Sequence, residues 1–339
     1  MTGSGVSRPG ATDAGDSTVR LRDVARLDRE HGTPLGQRWW VTSVVVVVYI
    51  ATMVAVIVLL IPVAGLDDEV ERRVFGGFSV VTAAYTGLLA WLIWRNVARR
   101  VRIDRLAVTN GLVYSPREPL GGFAGTATDR PGNQMATDVV SSPSGVVDEG
   151  GDFTAATFRR GSGLHPRRAA FVQMRLDRAT PHIVLLNRRS RVLGASGSRF
   201  VSGQRLRLEG DFDRTFTLLC PAGYERDALY IFTPDVMAVM LDVAPDCEIE
   251  LVDGWLVAYV GRPWRLWRSR DFAAMLSLVH ALGPKARSQT RRYRDDRAPI
   301  GIIGGVGRRL RMRPSAGALI SLVAPVALGV VGVVSLFSP

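Results

Sequence analysis

Nucleophile, base and metal chemistry needs particular side chains at particular spacings, and this chain offers few. Its four histidines are His31, His165, His182 and His280, and none has a second ligand at metal spacing. His280 falls near a predicted helix end, where capping or a dipole interaction is its ordinary role. Gly194-Ala195-Ser196-Gly197-Ser198 approaches the G-x-S-x-G elbow of hydrolases but departs from it at the last position. Cys220 and Cys247 form no CxxC pair and read as reduced, buried thiols. Gly301, Gly304, Gly305 and Gly307 look like a phosphate loop, yet the required lysine is missing, so a flexible or closely packed segment is expected there. No residue is therefore assigned as catalytic, cofactor-binding or metal-ligating, and no cofactor is expected. An enzyme of unrecognised type would have to gather separated groups such as Asp177, His182, Glu209 or Asp211 into one pocket.

Two residue sets could bind rather than react. Arg262, Trp264, Arg265, Trp267 and Arg268 form a compact cluster in Gly261-Arg262-Pro263-Trp264-Arg265-Leu266-Trp267-Arg268. Arginine and tryptophan anchor many interfaces, so the cluster could dock on a partner or on a bilayer. The more ordinary reading is a loop that packs its tryptophans on the domain's own core. The second set is Arg99, Arg100, Arg102, Arg308, Arg309, Arg311 and Arg313, expected to contact anionic lipid headgroups at roughly 1 kcal/mol each. The net charge is +12, and Lys285 is the only lysine. Such a balance could also serve nucleic acid, but no reader motif or stacking platform accompanies it, so nucleic acid is disfavoured.

The elements that must carry these residues are uneven in character. Three apolar windows are free of charge, at residues 39–61, 76–94 and 316–337. As a helix the first would be roughly 34 Å long, enough for a bilayer core. Trp39 and Trp40 open it, as interfacial residues do. Pro325 lies within the third, which a membrane helix tolerates. Arginines flank the windows on one side: Arg95, Arg99, Arg100, Arg102 and Arg105 after the second, and Arg308, Arg309, Arg311 and Arg313 before the third. The short turn at 62–75 is acidic. The positive-inside rule then predicts a multi-pass protein of the bacterial cytoplasmic membrane, with its N-terminus and central domain cytoplasmic and its C-terminus external.

Between the windows, residues 95–283 are predicted to form one α+β cytoplasmic domain with a mainly antiparallel sheet. Residues 1–37 are expected to be a disordered tail, 116–151 a flexible insertion and 284–315 a basic juxtamembrane linker. Helix is expected to run on from Arg95 to Asn110, with Gly111 at its C′ position. Alternation predicts strands near 171–176, 183–186, 206–208 and 212–219. Thr233-Pro234-Asp235 is a helix start, with a hydroxyl N-cap and proline at N1. Glu248 to Val252 and Trp255 to Val260 read as strands joined by Asp253-Gly254, a strong hairpin signal. A last helix carries Phe272, Met275, Leu276, Val279 and Leu282, with Gly283-Pro284 expected to stop it.

Residues 212–276 resemble a family of uncharacterised bacterial membrane-anchored proteins, classed as a domain of unknown function. The resemblance is carried by Phe212-Asp213-Arg214-Thr215-Phe216, by Tyr230-Ile231-Phe232-Thr233-Pro234 and by Val252-Asp253-Gly254-Trp255-Leu256. Asn110-Gly111-Leu112-Val113-Tyr114, after the predicted hairpin of spans, adds to it. It implies a transmembrane hairpin followed by one cytoplasmic α+β domain, and no activity; the third window departs from that plan. The expected function is a non-enzymatic membrane-anchored interaction or scaffold protein, with an anionic bilayer, a protein partner or a second copy of the chain as partner. The alternatives are the membrane-bound enzyme described above and a small oligomeric transporter component. The absence of charge inside the windows speaks against transport.

Overall fold

The computed structural model describes residues 68–128, 134–143, 151–160, 167–190, 192–193, 200, 204–207, 211–299 and 301–311, with isolated residues between 19 and 54. These divide into two compact units, one within Met1–Asn110 and Leu266–Ser269, the other within Gly111–Arg265 and Arg270–Pro339.

The first unit is built on α1, a helix of 42 residues, Asp68–Thr109. Its charged ends, from Asp68 to Arg73 and from Arg95 to Arg105, enclose a middle in which Ser79, Thr82, Tyr85 and Thr86 interrupt the apolar sequence. Thr86 Oγ1 donates back to Thr82 O at 2.8 Å, so this hydroxyl is satisfied within the helix. Val80, Val81, Leu88 and Trp91 are exposed. Val97, Val101, Ile103 and Leu106, in the last turns, are buried. Asn110 N bonds to Leu106 O, and Gly111, at φ 71°, ends the helix as expected.

No helix among the described residues is long and apolar enough to cross a membrane. That finding overturns the three-transmembrane-helix architecture and, with it, the placement as a multi-pass membrane protein with cytoplasmic and external ends. The physical reason is that a charge-free window need not be an element of its own. Residues 76–94 are the middle of one longer helix with hydroxyls in its body and charges at both ends. The window at 316–337, and all but residues 47, 50, 51 and 54 of the window at 39–61, lie outside the described residues.

Among the described residues, the second unit carries an antiparallel sheet of nine strands. Along the chain these are β1 (Val113–Pro119), β2 (Met135–Ser141), β3 (Phe153–Arg160), β4 (Arg167–Arg175), β5 (Ile183–Asn187), β6 (Arg205–Leu206), β7 (Phe216–Leu219), β8 (Cys247–Val252) and β9 (Trp255–Val260). Their order across the sheet is β1-β2-β3-β4-β9-β8-β5-β7-β6. The helices are α2 (Asp211–Thr215), α3 (Glu225–Ile231), α4 (Pro234–Val243) and α5 (Ser269–Thr290).

Local chemistry explains several joints. Asp253 and Gly254 both adopt positive φ, 51° and 76°, which closes the β8–β9 hairpin with Val252 opposite Trp255. Thr233 precedes Pro234 in extended conformation, as a helix entry requires, but its hydroxyl makes no capping hydrogen bond, contrary to expectation. Burial explains where expectation failed. Residues 116–151 contain the end of β1 and all of β2, whose Ala136, Val139 and Val140 are buried, so part of the expected insertion is sheet. The start of the strand expected at 212–219 is the short helix α2. Helix α5 runs through Pro284 to Thr290 because Leu282, Gly283, Ala286 and Thr290 are buried on one face. That packing outweighs the one backbone bond a proline removes. The linker expected at 284–315 is therefore helix for its first turns, and its later part carries buried Tyr293, Ile303 and Leu310.

Phe158 stacks edge-on against Phe171 and Tyr259, at 5.8 and 6.5 Å between centroids, and Phe123 packs on Phe171 at 5.2 Å. Phe158, Phe171 and Tyr259, with Ala156, Ala169, Val184 and Val257 of β3, β4, β5 and β9 and with Leu310, form one buried cluster, against which the partly buried Phe123 packs.

Candidate functional site

Two polar constellations stand on this sheet, one sealed and one open. The sealed one centres on Glu250 of β8, which is fully buried. A carboxylate there must be surrounded by donors. His182 Nε2 and Tyr259 Oη lie 2.7 Å from its oxygens, Thr126 N lies 2.9 Å away, and Thr126 Oγ1 donates as well. Leu310 N donates to His182 Nδ1 at 3.0 Å. Nδ1 is then the acceptor, so the ring proton sits on Nε2 and points at Glu250. Burial pushes the Glu250 carboxyl up, and the hydrogen bonds from His182, Thr126 and Tyr259 more than reverse it, leaving it below its ordinary value. Burial, then the charge on Glu250, pushes the Tyr259 phenol well above its ordinary value.

Glycines let the backbone come this close. Gly125 has φ +116°, and a Cβ there would lie 1.9 Å from Tyr259 Oη. Farther along, Gly307 presses on the Tyr224 ring, and Gly304 N donates to Asp295 at 2.8 Å. The glycine-rich segment read from sequence is thus a strap, residues 301–311, buried at Ile303, Gly307 and Leu310, and not a phosphate loop. Through Leu310 and Thr126 the sealed network holds the strap and the 123–128 loop to the sheet.

The open constellation lies where four strands end together. β4 begins at Arg167, β9 ends at Val260, β8 begins at Cys247 and β5 ends at Asn187; antiparallel pairing brings these ends to the same edge. A groove of about 460 Å³ opens there, lined by Arg167, Arg168, Arg189, Ser190, Asp246 and Arg262 with Ala169, Val260 and Gly261. Buried Asn187 shapes it. Its Nδ2 donates to Pro245 O and Cys247 O at 2.5 and 3.2 Å, and its Oδ1 accepts from Arg189 N at 2.8 Å. The Asp246 turn and the Arg189–Ser190 segment are so tied together.

The charge around the groove is one-sided. Among the described residues, none of the four arginine side chains makes an ion pair, and the register sets Arg159 opposite Arg168 and Arg160 opposite Arg167. Like charges opposite one another on neighbouring strands destabilise the pair. Ser190, 7% exposed, has a buried hydroxyl with no hydrogen-bond partner among the described residues. It faces Gly261, where an added Cβ would come 3.5 Å from its oxygen.

The residues singled out from sequence are dispersed. Of the Arg–Trp cluster, Arg262 lines the groove, Arg265 and Arg268 are exposed, and Trp264 has a buried indole nitrogen with no partner among the described residues. Trp267, in the first unit, lies under the Arg99 guanidinium at 4.9 Å from the ring centroid. Leu266 is the fully buried side chain of that segment. Arg99 also donates to Asn96 at 2.7 Å, while Arg100 and Arg102 are half-buried. Arg309 grips Asp253 with both guanidinium nitrogens, at 2.8 and 2.6 Å, and the hydrogen bonds from Arg309 hold the Asp253 carboxyl below its ordinary value. Arg308 donates to Ile303 O at 3.1 Å, Arg311 N to Gln204 Oε1 at 2.8 Å, and Arg313 lies outside the described residues. Asp177 is exposed while His182 is buried, so that pair does not converge; Glu209 and the Asp211 side chain lie outside the described residues. Cys220 and Cys247 are free, buried thiols, pushed up by burial to about 11 and about 12.

Sequence reasoning missed Glu250, Tyr259, Arg167, Arg168 and Arg189. The only advance signal was the charge doublets Arg167-Arg168 and Arg188-Arg189 at strand ends, which carry no spacing rule. Among the described residues no group of three or more His, Cys, Asp or Glu is placed to hold a metal ion.

No protein-family model matches the chain, and no curated protein matches it in sequence. Among solved structures, the crystal structure of the mycobacterial trehalose monomycolate transport factor A, TtfA, is similar at 13% identity and a TM-score of 0.32, over 55% of this chain and 97% of that one. A likeness at that level carries no argument.

Proposed function

We propose that this chain is a non-enzymatic interaction protein whose sheet domain receives an anionic partner at the arginine-lined groove. The observation that carries this reading is the groove itself: Arg167, Arg168, Arg189 and Arg262 face Asp246 alone as counter-charge on its wall. Guanidinium groups suit carboxylate and phosphate because their donors form a fixed fork. The side chains best suited to proton transfer, His182, Glu250 and Tyr259, are instead buried and bonded to one another. This supports binding over catalysis.

Charge reversal at two exposed groove positions, Arg168→Glu with Arg262→Glu, tests the reading on the purified full chain. The probes are poly-glutamate and vesicles of equimolar phosphatidylcholine and phosphatidylglycerol. The native chain is expected to bind at least one of them in low salt, and the reversed chain at least tenfold more weakly. Equal binding by both chains, with unchanged thermal unfolding, refutes the groove as the site.

A further inference from the structure

Resting on that reading, we infer that the groove takes the phosphoryl group of a small phosphate monoester, bound between Arg168, Arg189 and Arg262 with the Ser190 hydroxyl as a further donor.

Three observations narrow an anion to this class. The first is charge. Four arginines against Asp246 leave an excess that a single carboxylate does not neutralise. A phosphate monoester carries about −1.5 to −2 at neutral pH and offers three acceptor oxygens. The second is Ser190. Its side chain is sequestered at the groove wall, yet its oxygen has no partner among the described residues. A buried hydroxyl left unbonded costs about 1–3 kcal/mol, so its place calls for an acceptor. It is also a neutral hydroxyl on a different segment of the groove wall from Arg168 and Arg262. Donors arriving from β4, from the end of β5 and from the end of β9 surround a tetrahedral group better than a planar one. The third is size. At about 460 Å³ the groove is much larger than a phosphate ion and falls in the range of small-molecule sites, roughly 300–1,000 Å³. Ala169, Val260 and Gly261 supply apolar wall for the organic remainder, and Asp246 stands on the rim to accept from a ligand hydroxyl.

Gly261 gives a selective handle. A methyl group there would stand 3.5 Å from Ser190 Oγ and 3.9 Å from Val192 Cγ2, which is ordinary contact. Gly261→Ala should therefore fold normally while screening the hydroxyl from a ligand.

The experiment is calorimetric titration of the full chain with glycerol 3-phosphate, with its carboxylate counterpart glycerate, and with inorganic phosphate, alongside flotation with vesicles containing phosphatidate. Glycerol 3-phosphate is expected to bind saturably and at least tenfold tighter than glycerate. Arg262→Ala and Arg168→Ala should each weaken it about tenfold, and Ser190→Ala or Gly261→Ala about fivefold, the loss of one hydrogen bond. Unfolding midpoints of these variants should equal or exceed that of the native chain, since Ser190→Ala removes an unbonded hydroxyl and Arg168→Ala a like-charge pair. Binding to phosphatidate vesicles with none to glycerol 3-phosphate, and lost in Arg262→Ala, also supports the phosphoryl site and assigns its source to a lipid headgroup. Binding of glycerate as tight as that of glycerol 3-phosphate overturns this inference and leaves the anionic groove standing. No binding of any probe, by a chain that unfolds cooperatively, overturns both.

Discussion

Leu310 N donates to His182 Nδ1 at 3.0 Å, and the opposite nitrogen of the same ring lies 2.7 Å from Glu250. One imidazole thus joins the strap to the centre of the sheet, and the direction of its hydrogen bonds sets its tautomer. His182 N also donates to Gly307 O at 2.8 Å, so backbone and side chain both hold the strap.

Removing that ring should loosen the strap and strand a charge. His182→Ala takes one donor from a buried carboxylate and leaves the Leu310 N–H without its acceptor. Leaving a buried carboxylate one donor short and a buried N–H without its acceptor costs about 3 kcal/mol. Urea unfolding should show that loss, and hydrogen exchange at the Leu310 amide should quicken more than exchange in β4.

Acid should weaken the fold through depressed carboxyls. Glu250 lies below its ordinary 4.5 and Asp295 below its ordinary 3.8. For Asp295, burial pushes upward, and hydrogen bonds from Gly304, Tyr224 and Arg297 more than offset it. Where the folded value is the lower one, the stabilisation is complete above the unfolded value and is lost as pH falls through the folded one. The thermal midpoint should therefore fall on acidification below about pH 4.5. Glu250→Gln should be less stable at neutral pH and should flatten that decline.

Gly125→Ala should be costly for two reasons. Its φ of +116° is one that side chains rarely adopt, and its new methyl would meet Tyr259 Oη at 1.9 Å. A loss of about 3 kcal/mol is expected. Tyr259→Phe removes the clashing oxygen along with one bond to Glu250. Chemical denaturation of the double variant should show a loss smaller than the sum of the single losses.

Neighbouring glycines of the strap should differ sharply. A Cβ at Gly307 would lie 2.5 Å from Tyr224 Cζ and 2.7 Å from Ile303 Cγ2, whereas Gly305 has nothing within 4 Å. Tyr224 is buried and bonded to Asp295 at 2.8 Å, so its ring has little room to retreat. Gly307→Ala should lower stability by about 2 kcal/mol, and Gly305→Ala should leave it within about 0.5 kcal/mol, by thermal unfolding.

Short-range chemistry in the sequence determined the local joints of this protein. Asp253-Gly254 announced the β8–β9 hairpin, Thr233-Pro234 the start of α4 and Gly111 the end of α1, because each rests on a backbone conformation that neighbouring residues alone impose. Charge-free windows were a weaker guide, since a run of apolar residues does not say where its helix begins and ends; α1 extends through one of them into charged turns on both sides. Tertiary packing decided the rest. Burial of Leu282 and Ala286 carries α5 past Pro284, and Glu250 acquires donors from residues 124 positions before it in Thr126 and 68 before it in His182. The groove arises only when antiparallel register brings the ends of β4, β5, β8 and β9 to one edge. Arg262 stood out in the chain only as part of an arginine–tryptophan run, Arg168 and Arg189 not at all, and the three become a site because long-range strand pairing, which no local spacing encodes, sets their charges around one opening.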